Sequence, residues 1–242
     1  GACPNAPRET CRPAPKRHLA RWHPRLASDA VLRLLALSLC LAIAGCVQPS
    51  AAPPPAPVAS SSGEFRVTEV QGGLDHPWGI AFLPDGRMLV TERPGRLRIV
   101  TGDGEPVTVA GTPDVYANGQ GGLLDVALSP DFEESGYVYL TYSKPSGRGA
   151  ATALARGRLD GDRLADVEDL WVQTPAVPGT RHFGRRIAFW DGHLMISTGD
   201  RGVEDPAQDL GNTIGALLRL TLDGEAPADN PYVGRDGAAT ER

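Results

Sequence analysis

The sequence predicts an all-β chain folded as a β-propeller, and three observations carry that expectation. A glycine–strand–turn–strand unit recurs three times along the chain. The 242 residues include 29 glycines and 22 prolines, a share that suits many turns rather than long helices. No segment shows a sustained helical spacing of apolar residues.

The first unit reads His76-Pro77-Trp78-Gly79-Ile80-Ala81-Phe82-Leu83-Pro84-Asp85-Gly86-Arg87-Met88-Leu89-Val90-Thr91. The second reads Gly122-Leu123-Leu124-Asp125-Val126-Ala127-Leu128-Ser129-Pro130-Asp131-Phe132 and continues through Gly136 to Tyr137-Val138-Tyr139-Leu140-Thr141. The third reads Phe183-Gly184-Arg185-Arg186-Ile187-Ala188-Phe189-Trp190-Asp191-Gly192-His193-Leu194-Met195-Ile196-Ser197-Thr198. Each is a short apolar strand, a turn at Pro-Asp or Asp-Gly, and a second apolar strand. In Asp-Gly the glycine supplies the positive φ that a tight hairpin needs. The equivalent alanines Ala81, Ala127 and Ala188 lie 46 and 61 residues apart, a spacing that suits propeller blades. Arg96–Val100 and Leu217–Leu220 read as further blade strands. A β-sandwich also has many short strands, but the repeated unit favours the propeller. At roughly 45–60 residues per blade, residues 63–242 hold about three to four blades. A closed ring needs more to hide its sheet edges, so the expectation is a partial propeller and an incomplete fragment of a longer chain.

Ahead of the repeats, Leu34 to Ala44 is an uncharged apolar run. It is shorter than the roughly 20 residues of a membrane-spanning helix and suits the core of a signal peptide. Lys16, Arg17, Arg21, Arg25 and Arg33 supply its positive flank. The run ends Ile43-Ala44-Gly45-Cys46, with small residues that fit signal cleavage. A cysteine directly after them resembles the bacterial lipobox, in which that cysteine is acylated and becomes the new N-terminus; a plain signal peptide with an incidental cysteine is the alternative. Val47 in place of aspartate then implies the periplasmic face of the outer membrane in a bacterial envelope. The expected organisation is therefore a signal peptide with a long N-terminal extension (1–45), lipidated Cys46 and a Pro/Ala/Ser tether (46–62), and the partial propeller (63–242).

Charge divides along the same line. Residues 1–45 carry seven of the 24 Lys/Arg and two of the 29 Asp/Glu, so residues 46–242 carry seventeen and twenty-seven, a net charge of −10. An acidic body argues against nucleic acid as a partner, because phosphate binding needs a basic face. All four cysteines (Cys3, Cys11, Cys40 and Cys46) fall at or before residue 46, so the body has neither a disulfide framework nor a thiolate metal site.

Four stretches of the body resemble the glucose/sorbosone dehydrogenase family, the pyrroloquinoline-quinone-dependent aldose sugar dehydrogenases. They are Leu74-Asp75-His76-Pro77-Trp78-Gly79-Ile80-Ala81-Phe82, Gly119-Gln120-Gly121-Gly122-Leu123-Leu124, Arg181-His182-Phe183-Gly184 and Gly199-Asp200-Arg201-Gly202. The last leads into Ala207-Gln208-Asp209-Leu210 and then Asp229-Asn230-Pro231. Each motif alone is weak; their order and spacing across residues 65–233 make them specific together. The resemblance implies a six-bladed propeller that binds the quinone near its axis. It implies oxidation of the C1 hydroxyl of an aldose to the lactone, with hydride passed to the quinone. By the match of Arg-His-Phe-Gly, His182 is the general base; Asp200 matches the carboxylate that orients it. Gln120 matches a polar contact to quinone or substrate, and Gln208 a second. Arg185, Arg186 and Arg201 suit either an anionic cofactor or a solvated rim. His76 and His193 read as packed or solvent-exposed residues, Trp78 as core, and Asp85, Asp131 and Asp191 as turn residues.

Two departures from the family pattern stand out. Gly215-Ala216-Leu217-Leu218-Arg219 lacks the lysine the family commonly has after the glycine. The family's Gly-His-Arg-Asn-Pro segment does not occur before Arg242. That segment and the blades after it carry quinone-binding arginines and most of the Ca²⁺ ligands, so these 242 residues alone are expected to be inactive. The electron acceptor is not legible. A non-catalytic, lipid-anchored propeller that binds a ligand or partner is the second expectation, since propellers host many functions. A hydrolytic propeller would need a carboxylate-rich metal centre, which these residues do not assemble.

Overall fold

The computed structural model describes residues 58–60, 63–147 and 149–242. The apolar run at 34–44, Cys46 and the segment up to 57 lie outside the described residues. The first described element is a ribbon in which β1 (Val58–Ser60) pairs antiparallel with β2 (Gly63–Phe65).

Three antiparallel sheets follow, each a propeller blade in chain order. The first comprises β3 (Pro77–Phe82), β4 (Met88–Glu92), β5 (Arg96–Val100) and β6 (Val107–Val109). The second comprises β7 (Leu123–Leu128), β8 (Tyr137–Ser146), β9 (Gly149–Asp160) and β10 (Arg163–Val172). The third comprises β11 (Gly184–Trp190), β12 (His193–Thr198) and β13 (Leu217–Leu220). The helical content described is a four-residue helix α1 (Phe132–Ser135) and a 3-10 turn at Asp205–Gln208. Both Asp-Gly turns form as the sequence predicts. Asp85 Oδ1 accepts the Arg87 N–H at 3.0 Å, and Asp191 and Gly192 both take positive φ, 47° and 71°.

The first strands, β3, β7 and β11, lie side by side, with β7 touching both of the others. Apolar residues on facing sheets close two cores between them. Leu89, Leu97, Ile99 and Val109 of the first blade meet Leu123, Val126, Leu140 and Ala155 of the second. Tyr139, Leu154 and Trp171 of the second meet Leu194, Ile196, Leu218 and Leu220 of the third. Burial of this apolar surface is the main force holding blade to blade.

A repeated polar joint fixes the register of that packing. Each first strand carries a bulge at the same place: between Pro77 and Ile80, Leu123 and Val126, and Gly184 and Ile187. A hydroxyl on the second strand fills each gap. Thr91 Oγ1 accepts the Gly79 N–H at 2.8 Å and donates across to the Leu124 carbonyl of the next blade. Thr141 Oγ1 accepts the Asp125 N–H at 3.1 Å and donates to the Arg185 carbonyl at 2.8 Å. Ser197 Oγ accepts the Arg186 N–H at 3.0 Å, the same contact in the third blade. The bulge leaves one backbone group unpaired, and the threonine converts it into a link between sheets.

Candidate active site

The rim at the N-terminal ends of β3, β7 and β11 gathers the residues singled out in the sequence. His182 stands two residues before β11 and Asp200 two residues after β12, so the β11–β12 pairing brings them together. His182 Nδ1 lies 2.8 Å from Asp200 Oδ1. A carboxylate is only an acceptor, so Nδ1 carries the proton of this bond, and in the neutral imidazole the lone pair is on Nε2. Nε2 has no partner among the described residues, and the His182 side chain is 50% exposed. Gln120 Oε1, from the loop before β7, accepts the His182 backbone N–H at 2.8 Å. Asp200 Oδ1 also accepts the Gly202 N–H at 3.0 Å; that bond first, and His182 second, hold its carboxyl below the ordinary carboxylate range.

The backbone here is tightly constrained. His182 adopts φ +51°, a left-handed conformation that costs free energy for a residue with a Cβ. Its carbonyl accepts the Arg201 N–H at 3.1 Å and lies so close to Gly199 that a Cβ there would sit 1.8 Å from it. Glycine at 199 is therefore required for the approach.

Next to His182 in the chain, one aromatic ring meets two arginines. The Phe183 ring is fully buried, with the Arg201 guanidinium 3.4 Å and the Arg185 guanidinium 4.4 Å from its centroid. Arg201 is 3% exposed, and its nitrogens donate to the carbonyls of Arg181 (3.1 Å), Ala150 (2.8 Å) and Gly179 (2.9 Å). Burial pushes it down to about 10. The Arg201 donors are thus committed to backbone carbonyls, away from a solvated surface. Arg185 is also 3% exposed, at φ +98°. It donates to the carbonyls of Gly184 (3.0 Å) and Gln120 (3.2 Å), while its Nη1 is buried without a partner. Burial first, then the cations of Arg201 and Arg93, push it down to about 8. The Phe-Gly-Arg-Arg string showed these residues; nothing in it showed that the first arginine turns inward.

Arg186 alone of the three stays exposed. It stacks on Trp78 at 4.3 Å and reaches Asp125 Oδ1 at 3.1 Å, so Trp78 is half-buried under a cation instead of lying in the core. Gln208 ends the 3-10 turn, exposed and without a side-chain hydrogen bond among the described residues; the structure does not tie it to the His182 cluster. No group of three or more His, Cys, Asp or Glu suited to a metal occurs among the described residues.

Three comparisons bear on this arrangement. The family model for glucose/sorbosone dehydrogenase matches residues 74–241. The chain is 44% identical over 182 residues to the aldose sugar dehydrogenase YliI of Escherichia coli (strain K12), covering 73% of this chain and 49% of that protein. It is 28% identical over 203 residues to the quinoprotein glucose dehydrogenase B of Acinetobacter calcoaceticus, covering 71% and 42%. Among solved structures, the PQQ-bound form of an aldose sugar dehydrogenase from Streptomyces coelicolor superposes with a TM-score of 0.62 at 32% identity, covering 71% of this chain and 51% of that one. The chain thus spans about half the length of the relatives it matches. The extent of the family match and the propeller likeness place this chain in the glucose/sorbosone dehydrogenase family.

Proposed function

We propose that the protein oxidises aldose sugars at the C1 hydroxyl to the lactone, with His182 as general base and pyrroloquinoline quinone as hydride acceptor. The observation that carries this reading is the His182–Asp200 pair, which leaves an unpartnered Nε2 on an exposed rim. As hydride leaves C1, the hydroxyl oxygen must lose its proton, and Nε2 is the group placed to take it. Asp200 keeps the lone pair on Nε2 and stabilises the imidazolium once the proton arrives. Gln120 fixes the backbone of His182 and supports its reach.

The residues present suit an anionic quinone. Arg93, Arg185 and Arg201 lie under the rim, and none of them pairs with a carboxylate among the described residues. Their unbalanced charge favours an anion above them. Gln120, and Gln208 beside its turn, would supply polar contacts; Arg201 would act through its field alone. The quinone, when bound, supplies the two-electron acceptor. Ca²⁺ belongs to the same proposal, with ligands from outside the described cluster of rim residues.

The test is reconstitution of the whole protein with pyrroloquinoline quinone and Ca²⁺, followed by dye reduction with glucose and other aldoses. His182→Ala is expected to lower kcat by about 10²–10⁴-fold. Absence of turnover with every aldose, without a quinone absorbance change on mixing, would favour a binding propeller instead. We also propose that Cys46 is acylated and holds the protein at the outer membrane of the bacterial envelope. Metabolic labelling with a palmitate analogue should mark the wild type and not Cys46→Ser; label on the variant would place the anchor elsewhere.

A further inference from the structure

Arg185 is held in a conformation and a place that disfavour it. Its φ of +98° is strained for a residue with a Cβ. Its side chain is 3% exposed, and Nη1 has no partner among the described residues. Burial first, and the cations of Arg201 and Arg93 second, work against its charge. Thr141 Oγ1 nevertheless pins its carbonyl at 2.8 Å, so the second blade holds it in this conformation. Strain of this kind persists only where the surroundings over-determine it, and it gathers at functional sites.

What Arg185 does with its side chain is grip a loop. Its Nη2 donates to the Gln120 carbonyl at 3.2 Å, and one residue earlier Arg93 Nη1 donates to the Gly119 carbonyl at 2.6 Å. Arg93 follows β4 of the first blade and Arg185 lies in β11 of the third. Two blades thus hold consecutive carbonyls of the loop that leads into β7 of the second. The Gln120 N–H adds a third tie, to the Thr180 carbonyl at 2.8 Å. The approach there is close: a Cβ on Gly119 would lie 2.6 Å from Thr180 Cβ. With both backbone groups of Gln120 fixed, its Oε1 is left to accept the His182 N–H at 2.8 Å. His182 lies outside β11 at φ +51°, so no ladder bond takes that N–H. Arg185 itself is sealed from the surface, so a ligand on the rim meets Gln120 and His182 and not this guanidinium.

We propose that Arg185 is a positioning residue: through the Gln120 carbonyl it sets the Gln120 side chain, and through that side chain the backbone of His182, and it destabilises the fold in doing so. The inference rests on the sugar-oxidation reading for its effect on turnover; the coupling of Arg185 to His182 does not need that reading. A general base must stand within hydrogen-bond reach of the proton it takes. A displacement of about 1 Å can lower a rate by about 10²-fold. A cation gripping the loop carbonyl therefore matters to catalysis without touching substrate or quinone.

Amide hydrogen exchange on the whole protein, resolved to single residues by fragmentation mass spectrometry, tests the coupling. Arg185→Gly accepts the positive φ without strain. Exchange of the His182 N–H should rise up to about tenfold for the loss of one hydrogen bond, while the amides of β12 exchange no faster than before. A merely structural role would move β12 together with His182; that result, or an unchanged rate at His182, overturns the proposal. Gln120→Ala alters an exposed side chain and should give the same rise, with no further rise in the double variant. Additive rises would mean separate routes and overturn it. In kinetics with glucose, Arg185→Gly is expected to lower kcat by about 10²-fold with KM little changed; an unchanged kcat overturns the link to catalysis. If the wild type oxidises no sugar while the exchange pattern holds, the oxidation reading fails and the positioning of His182 by Arg185 stands.

Discussion

In the sheets, Thr91, Thr141 and Ser197 occupy one repeated position and make one repeated contact with the bulged strand beside them. On the rim, the loops at the same strand ends differ. One carries His76 beside Asp75, the next Gln120, the third His182 next to a buried Arg–Phe–Arg stack. The sheet positions are under the same demand in every blade, because each must pack on a neighbour and close a bulge. The rim positions face solvent or a ligand, and only the backbone entry to the strand is shared. The comparison separates what holds the blades together from what gives each rim its chemistry, and substitutions can break it from either side.

The largest expected effect is on the rim. Asp200→Asn should lower kcat by a factor on the order of 10²–10⁴, because the amide can hold the imidazole in the other tautomer. The unfolding midpoint should move little, since an amide oxygen at this position can still accept the Gly202 N–H. Because the Asp200 carboxyl titrates below its ordinary range, the stability it contributes is present above the unfolded value and is lost only as pH falls through the lower folded one. An acid limb of kcat near neutrality would therefore belong to another group.

The next effect is in the sheets. Thr141→Val leaves the Asp125 N–H and the Arg185 carbonyl unpaired in a buried joint and should cost about 1–3 kcal/mol in urea unfolding. Ser197→Ala removes a single accepted bond and should cost about 1 kcal/mol or less. Equal costs would show that the cross-blade bond adds nothing to blade packing.

The third substitution asks how far the rim is held against its own strain. Arg185→Gly removes a buried cation and accepts φ +98° freely, so it should raise stability by about 1–3 kcal/mol. A cation whose pKa is lower in the fold than in the unfolded chain destabilises most below the folded value. The gain from Arg185→Gly should thus be full below about pH 8 and shrink as pH rises toward the unfolded value, as unfolding at pH 6 and pH 9.5 would reveal. A loss of stability at both would mean that the Gln120 carbonyl contact outweighs the strain.

Much of this molecule is legible in the chain. The hairpins at Asp85-Gly86 and Asp191-Gly192, the strands Arg96–Val100 and Leu217–Leu220, and the spacing of Ala81, Ala127 and Ala188 follow from local turn chemistry and strand patterning. Such signals are local, so a single sequence displays them. His182 and Asp200 were found by motif, and the pairing of β11 with β12 explains why an eighteen-residue separation closes to 2.8 Å.

What the sequence determined by itself is the repeat: the paired strands and turns of its three units and the strands Arg96–Val100 and Leu217–Leu220, while β6, β9 and β10 emerge only in the structure. The tertiary structure alone decided the direction of the arginines. Arg185, Arg186 and Arg201 are the same residue type within one short stretch, yet two are buried against Phe183 and one is exposed over Trp78. A guanidinium is satisfied equally by carbonyls, an aromatic face or water. Its fate depends on which carbonyls its neighbours present, and those are brought in from the 119–122 and 177–181 loops and from Ala150 of β9 only when the blades pack.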